Sequence, residues 1–384
     1  MVRSRFPISM VPSRFSSHFY QLHQKGRILR PFLCGLLLTT SSSAFAEITQ
    51  RLGFEFDSFS YSEATSIHSI GGRWEDDVTS GDKALTVDRL YLGLFHGPFS
   101  IQYVMRYDAY YDYANDTARL LYQTENKLPL KQGDQYDLYI DEDETSSKGF
   151  RFGYSNWLRD DFELSVHLSL LELTDIEQGE LNGSASVVDS NDYDFSFHSD
   201  VVYEKDPLYE RGKENVYGRG YSFDLAIHYL VNQNWDLELQ VFDLFSEMKV
   251  DDAPFTTADA SSNVKSFDED GYVVFDPVVT GFEGYKSFSF EFNTQTHVAV
   301  GYRLKNSDSV TLQHHDYYNI DFQEVNYIQR FDEMELAWNL IPELNVIGFS
   351  IQTPSLKFIL NTDNLDYDEM KYLHLSFQYY LALG

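Results

Sequence analysis

Alternation with a period of two constrains this chain more than any other feature. In FSIQYVMRYDAYYDY, Phe99 to Tyr113, the odd positions are Phe99, Ile101, Tyr103, Met105, Tyr107, Ala109, Tyr111 and Tyr113, while Ser100, Gln102, Arg106, Asp108 and Asp112 hold even ones. A helix advancing about 100° per residue would scatter the apolar side chains round its circumference, whereas a strand puts them on one face. The pattern recurs. Leu52, Phe54 and Phe56 alternate with Arg51, Gly53, Glu55 and Asp57, and Phe162, Leu164, Val166, Leu168 and Leu170 with Glu163, Ser165, His167 and Ser169. Tyr221 to Tyr229 and Trp235 to Val241 repeat it on odd numbers, Phe288 to Leu304 on even and Leu373 to Leu383 on odd.

The breaks between these stretches are of two kinds. Five are short and have hairpin chemistry: HGP at 96–98, LRDD at 158–161, VNQN at 231–234, KNSD at 305–308 and IPE at 341–343. Longer polar segments, roughly 63–82, 114–148, 176–217 and 249–284, fall between them. The spacing predicts about twelve strands, within a range of ten to fourteen: 50–62, 83–95, 99–113, 149–157, 162–174, 218–230, 235–248, 285–304, 309–320, 322–340, 344–361 and 369–383. Apolar parity switches from Ile347, Phe349 and Ile351 to Leu356, Phe358 and Leu360 across Thr353-Pro354, which marks a bulge or an extra hairpin.

Charge and the N-terminus bound the setting. Six of 29 Lys and Arg, and none of 60 Asp and Glu, lie in residues 1–46, so the remainder carries 23 basic against 60 acidic side chains, a net of −37. Nucleic acid and anionic surfaces would be repelled. Residues 1–46 have the plan of a signal peptide: a basic region ending QKGRILR, the apolar PFLCGLLL, and Ala44-Phe45-Ala46 as a small-x-small cleavage site. The apolar run is far short of the ~20 residues that span a bilayer as a helix, and no later stretch is longer. The single cysteine, Cys34, precedes the end of that run without the small residues of a lipidation site and leaves with the signal, so the exported chain has no disulfide.

At the level of class the chain resembles Gram-negative outer-membrane β-barrel proteins, over most of residues 47–384. The alternation of short turns with long segments carries the resemblance, together with the closing strand YLHLSFQYYLALG. Ending in Leu383 and Gly384 departs from the terminal aromatic usual in the class. The resemblance implies an all-β antiparallel transmembrane barrel, assembly by the barrel-assembly machinery, contact with outer-membrane lipid and lipopolysaccharide, periplasmic short turns and external long acidic loops. Elementary physics agrees: lipid offers no partner to a bare backbone group, so strands cross a membrane only in a closed sheet. A soluble sandwich would bury the same apolar faces between two sheets. It accounts less well for a 16% aromatic content and for strands as long as 99–113.

On this reading Phe99, Ile101, Tyr103 and Met105 face acyl chains, Tyr107 to Tyr113 rise through the interface, and the opposite parity lines the lumen. The inferred lumen residues are Arg106, Asp108, Glu163, His167, Asp224, His228, Asp236, Glu238, Glu291, His297, Arg303, Glu333 and Glu335, with Arg51, Glu55, Asp57, Asp112, Arg151, His315 and His374 on the same parity. Acids outnumber arginines there, which implies a channel for small hydrophilic or cationic solutes. A narrow barrel can instead fill its lumen with Arg–carboxylate networks and conduct little.

Other chemistry is thin. HLSL (167–170) and HLSF (374–377) carry the His-x-Ser of barrel phospholipases but do not continue with Asn-Gly, and both put His and Ser on the lumen parity, which argues against an enzyme. HHDYYNID (314–321), DSNDYD (189–194), DEDE (141–144) and DEDG (268–271) complete no metal or EF-hand spacing, and no cofactor is implied. A surface receptor or adhesin built on the long segments is the alternative function.

Overall fold

The computed structural model describes residues 50–70, 74, 76–204, 216–262, 265–267, 271–275, 278–305 and 308–383. The expected signal peptide, 1–46, lies outside them, as does most of the DEDG segment. The strands are β1 (Gln50–Ser62), β2 (Lys83–His96), β3 (Phe99–Tyr113), β4 (Gln135–Arg159), β5 (Phe162–Asp189), β6 (Asp192–Tyr203), β7 (Tyr217–Leu230), β8 (Trp235–Ser261), β9 (Lys265–Phe267) and β10 (Val273–Phe275). They continue as β11 (Val278–Phe290), β12 (Gln295–Arg303), β13 (Ser309–Tyr317), β14 (Ile320–Phe331), β15 (Met334–Ile341), β16 (Val346–Gln352), β17 (Leu356–Thr362) and β18 (Tyr372–Ala382). Two described α-helices, α1 (Ile67–Ile70) and α2 (Asn115–Glu125), sit in the connections after β1 and β3. No described helix is long and apolar enough to cross a membrane.

Fourteen strands form a closed antiparallel ring: β1 to β5, then β7, β8 and β12 to β18, with β18 returning to β1. The closing register sets Phe56 opposite Phe377 and Leu52 opposite Leu381. The twelve-strand count is therefore corrected by two hairpins. The expected strand 322–340 folds back at 332–333, where Asp332 takes a positive φ of 47°, and 344–361 folds back at 353–355. Thr353 N–H donates to the Leu356 carbonyl at 2.7 Å across that second turn, and Pro354, which has no N–H to give a ladder, sits at its tip. IPE is also corrected: Pro342–Leu344 is a 3₁₀ turn, closed by Asn345 at φ 54°, at the rim opposite the other short turns. Residues 285–304 are two strands, separated at 291–294.

The outer face carries the apolar belt. Phe99 is 60% exposed, Trp338 60% and Ile347 68%, with Leu92, Leu94, Ile101, Phe150, Phe152, Leu170, Leu312 and Leu340 exposed beside them. Large apolar side chains displayed on every sector of a closed sheet mark a surface that meets hydrocarbon rather than water.

Above the belt the fold departs from a plain barrel. Strands β4, β5 and β8 are 25, 28 and 27 residues long, more than twice the ~10 needed for one crossing. Their upper parts, joined by β6 and β11, make a sheet out of segments expected as loops. Apolar alternation lapses there because water or a cap, not lipid, covers the outer face, so main-chain pairing is the remaining signal. The cap consists of the connection after β1, α2 and the chain following it. Leu120 and Leu121 of α2, with Ile70 and Trp74, pack onto the outward side chains Tyr111, Tyr113, Tyr136 and Leu138. Tyr111 and Tyr113 are thus buried under protein, Tyr113 edge-on to Trp74 at 5.8 Å, instead of standing in a lipid interface. Phe288 and Phe290 are similarly corrected: they pack inward with Met248 and Val250, not toward lipid.

Candidate functional site: the barrel interior

At mid-height the inner wall is crossed by one connected set of polar side chains. Arg106 of β3 donates to Asp243 of β8 through Nη1 at 2.8 Å and Nη2 at 3.1 Å, and through Nε to Asp108 at 2.8 Å. Arg89 of β2 donates to the other oxygen of Asp108 at 2.6 Å, and the Tyr318 hydroxyl, from the β13–β14 turn, reaches Asp108 at 3.2 Å. Arg151 of β4 donates to Asp224 of β7 at 2.8 Å and to Gln102, which donates to Glu55, whose Oε1 also accepts from Tyr380 of β18 at 2.8 Å. Asp224 joins the two halves by accepting from the Asp243 backbone N–H at 3.0 Å. All of Arg89, Arg106, Asp108, Arg151, Asp224 and Asp243 are buried. The bidentate geometry and the near balance of charge are what allow so many ionic groups to leave water.

Asp243 shows how the sequence builds this site. Trp235, Leu237, Leu239 and Val241 give its odd number to the lipid side, yet its side chain points inward. It takes φ 54° between the pairs Leu225–Val241 and Phe223–Phe245, where β8 carries two extra residues, so Asp243 alone turns inward and odd numbers face outward again from Phe245. The Arg106 guanidinium also lies 3.6 Å from the centre of the Phe292 ring, within cation–π range.

Aromatic packing closes the other side of the interior. Phe59 of β1 stacks on Tyr317 of β13 at 4.5 Å and meets Tyr372 at 5.3 Å, with Leu85, Val87 and Phe322 around them. Strands six places apart in the ring therefore touch across the lumen. Just below, the His297 and His315 rings are 4.6 Å apart, His315 approaches Glu324 at 3.3 Å, and His374 approaches Asp57 at 3.2 Å. No described group of His, Cys, Asp or Glu has the geometry to hold a metal ion.

Toward the short-turn rim the inner wall opens. Glu163 accepts from Ser155 at 3.2 Å, Glu238 is bonded to Gln240, and Asp236 lies 3.8 Å from His228. A Cβ at Gly301 would strike the Asp236 carboxylate at 2.5 Å, so glycine there makes room for that acid. His167, in register with Asp224, is half-buried; Glu335 takes a 2.7 Å bond from Arg330, and Arg303 ends β12, exposed at the rim. Two inferred lumen residues lie off the wall and are corrected: Glu291 is exposed in the 291–294 break, and Glu333 is exposed in the 332–333 turn. The interior also holds Arg89, Asp243, Glu324, Arg330 and Lys357, which the parity argument did not supply. Arg89 was legible, since its odd number is opposite the parity of the exposed Leu92 and Leu94; Asp243 was detectable only as a carboxylate at a lipid-parity position.

No protein-family model and no curated protein sequence matches the chain. Among solved structures it is similar to a mutant of the monoaromatic hydrocarbon channel TodX, at 10% identity and a TM-score of 0.41, over 88% of this chain and 91% of that one. It is also similar to the monoaromatic hydrocarbon channel CymD, at 9% identity and 0.39, over 88% and 90%, and to the toluene transporter TbuX of Ralstonia pickettii, at 8% identity and 0.30, over 88% and 90%. These likenesses are loose, and the architecture rests on the strand pairing itself. A closed antiparallel ring of fourteen strands with an apolar outer belt and a charged inner wall is an outer-membrane β-barrel.

Proposed function

We propose that the protein is an outer-membrane channel for small hydrophilic solutes, cations ahead of anions, caught in a shut state. The observation that carries the proposal is the chain of bonded side chains running from Tyr380 through Glu55, Gln102, Arg151, Asp224, Asp243 and Arg106 to Asp108 and Tyr318. Side chains make this closure, not an inserted domain, so rotamer changes suffice to break it. The short turns are assigned to the periplasm and the capped end to the exterior. The half of the lumen facing the short turns then carries Glu163, Asp236 and Glu238, whose field concentrates cations. A wall studded with arginine and aspartate suits hydrophilic cargo rather than the hydrocarbons named for the loosely similar channels. Lipopolysaccharide and the barrel-assembly machinery are proposed partners on the same membrane placement.

Planar-bilayer recording of the refolded protein tests this. Wild type should show small, infrequent openings, and Arg106→Ala larger or longer ones, with a reversal potential under a KCl gradient that indicates cation preference. Silence in both proteins, or anion preference, overturns the proposal. Uptake of toluene but not of a small sugar by loaded vesicles overturns the hydrophilic cargo. The sheet and cap beyond the belt favour a second reading, a surface receptor, which leads if no variant conducts.

A further inference from the structure

The inner wall holds most of the basic side chains in the strands, but three point outward. Lys148 of β4, Arg219 of β7 and Lys249 of β8 stand exposed in one register row: Met105 opposes Lys148, Lys148 opposes Glu172, Glu172 opposes Arg219, and Arg219 opposes Lys249. Among the described residues of the fourteen ring strands, no other Lys or Arg faces outward above the short-turn rim. The row has a definite height. Lys148 lies eleven residues from the end of β4 at Arg159, and Arg219 eleven from the end of β7 at Leu230, one membrane crossing in each case. The row beneath it is apolar at Phe150, Leu170 and Tyr221, all exposed. Three cations are therefore held where lipid headgroups begin, on a chain that otherwise repels anions.

We propose that Lys148, Arg219 and Lys249 form a docking site for the phosphate of an anionic outer-leaflet lipid, such as a phosphorylated glycolipid. Cross-strand neighbours lie ~5 Å apart; Arg219 is one strand from Lys249 and two from Lys148, and the two lysines, three strands apart, reach from either side with long side chains toward a phosphate group seated beside Arg219. Lys249 has an ion pair with Glu247 at 3.4 Å, whereas Lys148 and Arg219 have no described carboxylate within bonding distance although Glu172 stands between them. Arginine adds a planar fork suited to phosphate oxygens. The alternative is that the three side chains merely snorkel to the headgroup layer and select no lipid. The proposal uses the membrane placement but not conduction, so a barrel that never opens leaves it standing.

The full barrel is reconstituted in zwitterionic nanodiscs doped with a phosphorylated glycolipid, and lipid retained on the protein is counted by native mass spectrometry. Wild type should retain the phosphorylated lipid over the zwitterionic one. Lys148→Gln, Arg219→Gln and Lys249→Gln combined should weaken retention roughly a hundredfold, at about fivefold per basic side chain near an anionic surface. Glu172→Gln, by removing a repelling charge, should strengthen it. The charge-retaining trio Lys148→Arg, Arg219→Lys and Lys249→Arg should hold the lipid. If the glutamine variant does not fold, wild type at about 1 M salt, where screening falls to ~3 Å, should lose the preference instead. Equal retention of a dephosphorylated glycolipid, or no change with charge or salt, overturns the proposal. Displacement by millimolar inorganic phosphate assigns the site to the free ion and overturns the lipid.

Discussion

Single side chains hold the charged inner wall of this barrel together. Asp243 accepts two bonds from Arg106 and one from Ser222 at 2.5 Å, and its own N–H is spent on Asp224. Removing one member of such a buried pair strands the other charge, so Asp243→Ala should destabilise the barrel by roughly 3–5 kcal/mol, while Arg106→Leu with Asp243→Leu should cost clearly less than the two single changes added together. Urea unfolding in lipid vesicles measures this, and additivity would show that the pair is not coupled. Glu142 poses the opposite problem, outside the membrane. It is buried beneath the cap with Trp74, and burial, then Glu177 and Glu144, push its carboxyl well above the usual range. A raised carboxyl contributes stability that is fully present below the unfolded value of about 4.3 and lost as pH rises through the folded one. Amide exchange of 117–121 in α2, corrected for its intrinsic pH dependence, should therefore show more protection at about pH 4 than at neutrality. Glu142→Gln should flatten most of that difference; Asp141, raised by burial, and Asp143, pushed up to about 6 by burial, account for the remainder.

Strands are where parity becomes energy. Leu168 of β5 is exposed on the belt six residues from the start of the strand, and Glu163, five residues earlier in the same strand, is on the inner wall. Leu168→Arg should cost roughly 2–4 kcal/mol because the guanidinium must enter hydrocarbon, and Glu163→Arg much less. Equal costs in the same vesicle unfolding assay would reverse the assignment of faces. The long strands add that a β-element need not be amphipathic along its whole length. In β5 the apolar residues hold even numbers to Leu170 and then pass to Leu171 and Leu173, because above the belt it is the inner face that is buried, against Val202 and Phe255 of the extension.

For the molecule as a whole, closure is the property on which the rest depends. Leu52 of β1 directly opposes Leu381 of β18, the first and last strands. Paired strand positions lie within disulfide reach, so Leu52→Cys with Leu381→Cys should cross-link under mild oxidation, with a shift in electrophoretic mobility that reductant reverses. Cys34, in the expected signal region, is the only native cysteine and gives no competing bond once removed. Failure to cross-link in the folded protein would mean an open sheet, and with it an untenable membrane structure. The closed ring also explains why the interior is so charged. Once the apolar parity is committed to lipid, every polar alternate position is delivered to a narrow shared space, and the residues there must find one another.

The amino-acid sequence by itself determined that the chain is built of membrane-length strands, which face most of them present to lipid and the acidic character of what lies between them, because alternation is a local consequence of backbone geometry that each stretch displays unaided. It also placed Arg106, Asp108, Asp224 and His297 on the inner parity, with Arg89 legible by the same rule. Only the tertiary structure decided that there are fourteen strands, since a two-residue turn at 332–333 leaves little trace beyond a change of apolar parity from Val325 and Tyr327 to Leu336 and Trp338. It alone decided that Asp243 turns inward, that polar segments such as 176–189 continue as strands, and that Tyr111 and Tyr113 lie beneath a cap. Which carboxylate meets which arginine was equally beyond the chain read in one dimension. Arg106 and Asp243 are 137 positions apart, and their meeting follows from barrel closure and register, which are properties of the assembled sheet.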